Sequence, residues 1–157
     1  MSGHVLERSG VFRLSVPEGW AATGVEGHRY RLRCDGLDVR VDVSVHRRQD
    51  DGGPDARAVV LAFARDRGAA ATVGTSDEPG ASAAVGTSDD PALGFTGPAT
   101  ARWHGVDSAW AAVALRNGPY VVLASAVAPD EESLEPGALL IGTLVAHRPA
   151  RRWWRRG

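Results

Sequence analysis

The most enzyme-like group in this sequence is the run 104–108, which reads His-Gly-Val-Asp-Ser. It brings a base, a carboxylate and a hydroxyl group close together along the chain. A catalytic triad is defined by its spatial geometry, and its members usually lie far apart in sequence. A polar turn between two strands needs the same residue types, because they hydrogen-bond to the local backbone. We therefore interpret 104–108 as a turn, and we predict no catalytic residues.

Motifs for cofactors and metals are absent from the sequence. There is no G-x-G-x-x-G or P-loop glycine pattern and no G-x-S-x-G elbow, so we predict no cofactor. Cys34 could be a nucleophile or a redox sensor, but its place among apolar residues favours inert packing. The histidines lack the paired spacing of a zinc site, so we predict no metal. They are His4, His28, His46, His104 and His147.

A short internal repeat carries two pairs of acidic residues. Residues 72–79 are echoed by 84–91, and each copy contains an acidic pair, Asp77-Glu78 or Asp89-Asp90. The pairs lack the D-x-D-x-D-G spacing of a calcium loop, so we interpret them as solvated turns. Each copy could be a short strand with an acidic turn, or one copy could be a duplicated loop. The small polar residues and the prolines favour the loop.

Two groups of side chains could bind a partner, and the first is the polar face of a predicted hairpin. Its aspartates, Asp38 and Asp42, are fewer than its basic residues. The face could bind an acidic partner, or its arginines could simply pair with the two aspartates across the strands. The basic candidates are Arg29, Arg31, Arg33, Arg40 and His46.

The second group is the basic tail, residues 148–157. The tail carries five arginines and no acid, so the rest of the chain has a net charge of −6 although the whole chain has −1. It could be a solvated tail, fold back on the acidic body, or contact a partner protein, an anionic membrane or nucleic acid. The candidate contact residues are Arg151, Arg152, Trp153 and Trp154.

Length and composition indicate a single globular domain. The chain has 157 residues, 43% of them hydrophobic and 24% charged, which is sufficient for a core without disulfides or metals. One cysteine excludes an intrachain disulfide, and residues 1–10 have no apolar signal segment. The longest apolar run, 138–146, is too short to cross a bilayer. We therefore expect a cytoplasmic protein. All 18 basic residues are arginine, which is typical of a GC-rich genome.

Alternating side chains predict the first strand and the first hairpin. Residues 11–16 alternate apolar and polar, and Pro17 and Gly19 should end the strand and turn Trp20 back toward the sheet. Two further alternating runs, 28–34 and 37–46, flank Asp35-Gly36, a typical two-residue hairpin turn. That turn predicts a register in which Leu32 faces Val39 and Arg31 faces Arg40. Residues 21–27 are predicted to be a link.

The second half should contribute two helices and the central strands. A first helix beginning at Pro54 should bury one stripe, and a last helix capped by Asp130 should bury another and end at Pro149. Pro136-Gly137 suggests a kink or a restart in the last helix. Runs 100–103, 108–116 and 120–127 read as strands. The last two, joined at Asn117-Gly118, are apolar on both faces and should be central. The stripes are Ala56, Val59, Val60, Phe63 and Ala64, and Leu140, Ile141, Leu144 and Val145.

The sequence resembles the PsbP-like fold. The matching parts are 12–20, which reads Phe-Arg-Leu-Ser-Val-Pro-Glu-Gly-Trp, the Gly97-Pro98-Ala99 start of a strand, and the strand-helix ending at 120–145. The resemblance implies an antiparallel sheet between helices and, since known members mostly bind partners, a non-catalytic role. Bacterial members include secretion-effector chaperones. The repeat and the basic tail lie outside this pattern.

These observations predict an α+β protein, a mostly antiparallel sheet of about six strands flanked by two main helices. We expect a single PsbP-like domain at 1–147, followed by the tail. The leading functional hypothesis is a non-catalytic, protein-binding accessory module, chaperone-like or adaptor-like, in a bacterial cytoplasm; a homo-oligomer is compatible with it. The alternative is a small-molecule-binding protein or enzyme with a pocket between sheet and helix. Its lining would be Trp20, Tyr30, Trp103 and Trp110.

Overall fold

Two antiparallel sheets and two helices make up the fold, in a computed structural model that describes residues 3–25, 28–47, 56–67, 95–105 and 107–147. The predicted α+β class and the six-stranded sheet with two helices are confirmed. The elements are β1 His4–Arg8, β2 Phe12–Val16, β3 Trp20–Val25, β4 Arg29–Cys34, β5 Arg40–Arg47, α1 Ala56–Asp66, β6 Phe95–His104, β7 Ala109–Asn117, β8 Tyr120–Ala128, α2 Glu131–Ile141 and β9 Val145–Ala146.

The larger sheet has the strand order β3-β4-β5-β8-β7-β6, and the smaller has the order β1-β2-β9. One face of the larger sheet, the α2 face, packs on α2 and the smaller sheet, and the other, the α1 face, packs on α1. Along β7, Val113 and Leu115 point to the α2 face, whereas Trp110 and Ala112 point to the α1 face. This alternation confirms the prediction that β7 and β8 are central strands covered on both sides.

The predicted first strand is β2, which lies in the smaller sheet. Phe12 and Leu14 have no exposed surface, and Arg13 between them is exposed, as the alternation predicted. Gly19 adopts a positive φ of 90°, which brings Trp20 back against the core with 7% of its surface exposed. β1, which pairs with β2, was not predicted, because its burial pattern is mostly exposed.

The prediction that residues 21–27 form a link is wrong for the part that the structure describes, because β3 runs to Val25. Each residue of β3 pairs with a residue of β4, from Trp20 with Cys34 to Val25 with Arg29. Ala21, Ala22, Thr23 and Gly24 are all exposed, so they show no apolar alternation. The hydrogen bonds to β4 therefore define this strand, and its side chains do not.

The predicted register of the first hairpin is also wrong, by two residues. Leu32 pairs with Val41 and Arg31 with Asp42, whereas the turn had predicted Val39 and Arg40. A turn does form at Asp35-Gly36, since the Leu37 amide donates to the Cys34 carbonyl at 3.2 Å. The chain joins the ladder only at Arg40, because Val39 is instead buried against α2 near Gly137. A shift of two leaves every side chain on its predicted face.

The hairpin between β7 and β8 turns one residue later than predicted. Asn117 pairs with Tyr120, so the turn residues are Gly118 and Pro119. Gly118 has a positive φ of 61°, and the ring of Pro119 fixes a negative φ. That sequence of signs is typical of a type II′ turn. Upstream, Gly97-Pro98-Ala99 lies inside β6, where the register shifts between Thr96 and Ala99.

The helical stripes are confirmed in part. In α1, Ala56, Val60 and Ala64 are buried, and Val59 and Phe63 are half-buried beside them. Asp130 caps α2 as predicted, accepting the Ser133 amide at 2.7 Å, and the helix continues through Pro136 and Gly137 without a restart.

The predicted end of the last helix at Pro149 is wrong. α2 ends at Ile141, and although Leu144 is buried, Val145 lies in β9 with 51% of its surface exposed. Thr143 causes this change of direction. Its hydroxyl donates to the Leu140 carbonyl at 2.7 Å and accepts the Ser15 amide at 3.0 Å, so the chain leaves the helix and pairs with β2.

A polar network that the sequence did not reveal joins the two sheets. The Asn117 amide nitrogen donates to the carbonyls of Val11, Gly10 and His147, at 3.0, 3.3 and 3.3 Å. His147 Nδ1 accepts the Gly10 amide at 2.9 Å, and its Nε2 lies 3.2 Å from Glu7 Oε1. Because Nδ1 is an acceptor, the ring is held in the tautomer that carries its proton on Nε2.

Several predictions concern residues outside the described part of the chain. They are the helix start at Pro54 and Asp55, the repeat with its acidic pairs at 72–91 and the tail at 148–157. Among the helices that the structure describes, none is long and apolar enough to cross a membrane.

Candidate protein-binding face

On strands β3, β4 and β5, part of the α1 face is not covered by any helix or strand that the structure describes. Helix α1 packs on β6 and β7 and reaches β8, at the other half of the sheet. We call the open part the basic face. It consists of Arg29, Arg31, Arg33, Arg40, Asp42, Ser44 and His46.

Alternation along the strands places these residues on the same side of the sheet. Arg29, Arg31 and Arg33 are every second residue of β4, and Tyr30 and Leu32 between them pack toward the α2 face. On β5, Arg40 and His46 lie on this side, whereas the alternate valines of the strand are buried on the other side. The prediction that the four arginines and His46 share one polar face therefore agrees with the backbone register.

The ladder arranges the basic face in rows across three strands. Ala21, Arg33 and Arg40 form one row, and Thr23, Arg31 and Asp42 form the next. A third row contains Val25, Arg29 and Ser44. Each row thus begins with an uncharged residue of β3 and carries an arginine on β4.

One carboxylate serves two guanidinium groups at the centre. Arg31 Nε donates to Asp42 Oδ1 at 3.1 Å, and Arg40 Nε donates to Asp42 Oδ2 at 3.0 Å. The Asp42 side chain is 23% exposed, against 38% for Arg31 and 42% for Arg40. Ion pairs this close to solvent stabilise a protein only weakly. The two arginines keep much of their surface available.

The other two arginines are not neutralised by any residue that the structure describes. Arg29 and Arg33 are exposed, and neither makes an ion pair within the described ranges. Arg33 lies directly opposite Arg40, and like charges opposed across a ladder are destabilising. The register predicted from the turn would have placed Asp38 opposite Arg33 and Asp42 opposite Arg29, but Arg40 and Ser44 occupy those positions. The basic face therefore carries an excess of positive charge.

His46 lies at the end of this face. Its ring centroid is 6.2 Å from that of His28, with the planes tilted by 52°. Within the described residues there is no group of three or more metal-binding side chains. The candidates in the tail, Arg151, Arg152, Trp153 and Trp154, lie outside the part of the chain that the structure describes.

The run 104–108 forms the turn that its composition predicted. The Gly105 amide donates to the Ser108 carbonyl at 2.8 Å, and the Ser108 hydroxyl accepts Trp110 Nε1 at 2.9 Å. His104 is 68% exposed and lies 3.8 Å from Glu131 of α2. The serine is thus beside an indole of the α1 face, while the histidine points to the α2 side.

The aromatic residues of the alternative hypothesis do not line one cavity. Trp103 and Trp110 stack on the α1 face with centroids 5.9 Å apart and planes at 1°, and Phe63 contacts both edge-on. Trp20 and Tyr30 belong to the core on the α2 face, where Tyr30 meets the Phe12 ring at 5.9 Å. The sheet itself separates the two pairs.

Cys34 is half-buried at the end of β4. Its sulfur contacts the Asp35 carbonyl at 3.8 Å, and a β-carbon on Gly19 would lie 3.4 Å from it. This close packing supports the interpretation of Cys34 as a packing residue.

Comparison with known proteins identifies the fold. No family model matches the sequence, and no curated protein matches it. Among solved structures, the chain resembles the cyanobacterial PsbP of Synechocystis sp. PCC 6803 with a TM-score of 0.54 and 11% identity, over 94% of this chain and 95% of that one. The sheet between two helices is therefore a PsbP-like fold, as the sequence predicted.

A second resemblance is to a crystal structure from Bacteroides thetaiotaomicron VPI-5482. It has a TM-score of 0.48 and 11% identity and covers 94% of this chain. The chain spans about half the length of that protein, with 49% of it covered.

Proposed function

We propose that this protein is a non-catalytic accessory protein that binds an acidic segment of another protein through its basic face. The observation that carries the proposal is the charge arrangement: of four exposed or half-exposed arginines, Arg31 and Arg40 pair with the carboxylate of Asp42, and the other two make no ion pair with any described residue. Arginine forms bidentate, charge-assisted hydrogen bonds with carboxylates, so the face suits an acidic partner.

An anionic partner would also offset the repulsion between two like charges. Arg33 and Arg40 oppose each other across the β4–β5 ladder. A carboxylate bound between them would add two attractive pairs, which would offset the repulsion between the like charges. Without a partner, the protein bears the energetic cost of this like-charge pair on its surface.

The size of the face favours a peptide segment over a nucleic acid. From Arg29 to Arg33 the strand spans about 13 Å, and three strands are about 10 Å wide. Such an area contacts only a few side chains. Outside the tail the chain has a net charge of −6, which would repel a long polyanion extending beyond the face.

The alternative, an enzyme or small-molecule-binding protein, draws no support from the four aromatic residues, because they lie on opposite faces of the sheet. The PsbP-like fold is compatible with an accessory role, although fold alone does not determine function. In the cytoplasm, where we place this role, Cys34 would stay a free thiol.

The experiment compares two charge-reversal variants of the full chain. In Arg29→Glu/Arg33→Glu the change lies on the basic face. The matched control, Arg13→Glu/Arg102→Glu, changes two arginines elsewhere on the surface, whose side chains are each 49% exposed. Both variants replace two arginines with glutamates, so their net charge is equal. A partner captured from the native host is purified, and its binding to each protein is measured by calorimetry.

We expect the basic-face variant to bind about tenfold more weakly or worse, since each lost charged contact contributes a factor of that order. The control should bind within about twofold of the wild type, because it keeps the basic face intact. Added salt should weaken wild-type binding. Equal binding by both variants, or the absence of any reproducible partner, would contradict the proposal.

A further inference from the structure

The outer edge of β3 is an unpaired strand edge beside the basic face. β3 is the first strand of the larger sheet, and within the described ranges no other strand pairs with its outer side. Its six residues pair with β4 without a bulge. The exposed residues Ala21, Ala22, Thr23 and Gly24 carry no charge and include no proline.

The hydrogen-bonding pattern identifies which backbone groups face outward. The Val45 amide donates to the His28 carbonyl at 2.8 Å, which makes this a hydrogen-bonded pair between β5 and the start of β4. Since such pairs alternate in an antiparallel ladder, Tyr30 and Leu32 also turn their backbone groups to β5. Arg29, Arg31 and Arg33 therefore turn theirs to β3.

The same alternation continues on β3. Ala21, Thr23 and Val25 pair with those arginines and use their own N–H and C=O groups in the ladder. Ala22 and Gly24 consequently present their N–H and C=O groups outward. These groups form a template for one more strand.

The other described strand edges carry the features that normally prevent such pairing. At the opposite edge of the larger sheet, β6 contains Pro98 and a register shift between Thr96 and Ala99. In the smaller sheet, β1 carries His4, Glu7 and Arg8, and β9 has only two residues. Charges, prolines, irregularities and short length all protect edges from strand addition, and β3 has none of them.

We propose that the outer edge of β3 binds an extended acidic segment of the partner protein as an additional antiparallel strand. The inference rests on the proposed function and specifies how the partner would bind. Main-chain hydrogen bonds to Ala22 and Gly24 would provide affinity, and the arginines of the basic face would provide specificity.

The geometry brings acidic side chains within reach of those arginines. In an antiparallel addition, the residues opposite Ala21 and Thr23 place their side chains on the α1 face, in the rows of Arg33 and Arg31. An added strand lies two strand spacings, about 10 Å, from β4. Only the short side chains of Ala21 and Thr23 lie between, so arginine and glutamate can meet above them.

A second copy of this chain fits the edge less well. A two-fold axis between two β3 strands would place both basic faces on the same side of one continuous sheet. Arginines would then face arginines, whereas an acidic strand complements them.

The test uses acetylated nine-residue peptides that alternate glutamate and valine. In the bound orientation the valines direct their N–H groups to β3, and the glutamates direct theirs outward. One peptide is N-methylated at its valines and the matched control at its glutamates, so both keep the same charge. Binding is measured by calorimetry on the wild type, on Ala22→Pro, and on Arg29→Glu/Arg33→Glu.

We expect the valine-methylated peptide and the Ala22→Pro protein each to reduce binding about tenfold or more, because hydrogen bonds to the edge are lost. The glutamate-methylated control should bind within about twofold of the parent peptide, since the outward N–H groups make no contact with β3. Ala22→Pro should keep its fold, because a proline is tolerated where the N–H of an edge strand faces solvent. The peptide arm on the wild-type protein does not depend on that variant folding.

Three results would overturn the inference. One is no binding of the parent peptide, and another is a wild-type dimer that Ala22→Pro abolishes, which would place a second copy at the edge. The third is equal binding of all peptides and of Ala22→Pro. If Arg29→Glu/Arg33→Glu still weakened binding in that third case, the basic face would remain a binding site and only strand addition would fail.

Discussion

Arg31 lies directly opposite Asp42 in the β4–β5 ladder, with Arg31 Nε 3.1 Å from Asp42 Oδ1. The second oxygen of the same carboxylate accepts Arg40 Nε at 3.0 Å. Among the described residues, Asp42 is therefore the only one whose carboxylate forms an ion pair with the four arginines of the basic face. Its removal should affect folding and binding in opposite directions.

Asp42→Ser should lower the stability of the protein but raise its affinity for an acidic ligand. Loss of two partly exposed ion pairs should lower the free energy of unfolding by about 1 kcal/mol. The same change removes the negative charge that would repel a carboxylate, so the affinity for the glutamate–valine peptide should rise. Urea denaturation and calorimetry measure the two effects. A variant that is less stable and also binds more weakly would show that Asp42 positions the arginines and does not compete with the ligand.

Gly137→Ala should destabilise the protein, although alanine is a better helix former than glycine. A β-carbon at Gly137 would lie 2.5 Å from Val39 Cγ2 and 3.0 Å from the β-carbon of Ala126. Overpacking of this kind typically costs about 1–3 kcal/mol. Leu139→Ala on the same helix is the control, because Leu139 is 67% exposed and should change stability little. Chemical denaturation that showed a gain for Gly137→Ala would contradict the close packing of α2 on Val39.

Asn117→Asp should loosen the smaller sheet more than Asn117→Ala does. The Asn117 amide donates to three carbonyl groups, and aspartate would place a carboxylate of the same shape against those oxygens. Loss of the donor alone should cost about 1–3 kcal/mol. Hydrogen exchange should accelerate in β2 and β9 before it does in β7. If alanine and aspartate were equally tolerated, the network would have no role in joining the sheets.

Acid should weaken the N-terminus of α2 through Asp130. The Ser133 amide and hydroxyl hydrogen-bond the carboxylate and lower the pKa of Asp130 below its ordinary value. A carboxyl whose pKa falls on folding contributes stability above its unfolded pKa, and this contribution disappears as the pH drops through the folded pKa. Asp130→Asn still caps the helix but does not titrate. The difference in Tm between wild type and variant should therefore shrink on acidification from pH 6 to pH 2. A constant difference would contradict the prediction.

Most of the fold could be predicted because several of its strands alternate between buried apolar side chains and more exposed polar ones. Phe12 and Arg13 on β2, like Tyr30 and Arg31 on β4, alternate between core and surface, and this alternation is written in the sequence. β3 could not be predicted, because Ala21 to Gly24 are exposed and no alternation marks an edge strand. The register of β4 on β5 could not be predicted either. It depends on the packing of Val39 against Gly137, a contact between elements distant in sequence.

The composition of the basic face followed from that same alternation, since parity alone brings Arg29, Arg31 and Arg33 to one side. The alternation of side chains along a strand does not predict the position of α1. That helix lies over β6 and β7 because Val60 and Ala64 pack on small residues such as Ala112 and Ala114. Among the described elements, its position leaves the α1 face of β3 to β5 uncovered, and only the tertiary structure determines that position.

Binding at the basic face can be tested directly by following the NMR signal of each arginine Nε–H group during titration with the glutamate–valine peptide. We expect chemical-shift changes at Arg29, Arg31, Arg33 and Arg40, and none at Arg13 or Arg102, which pair with glutamates elsewhere on the surface. Equal changes at all six arginines, or changes confined to Arg13 and Arg102, would contradict this prediction.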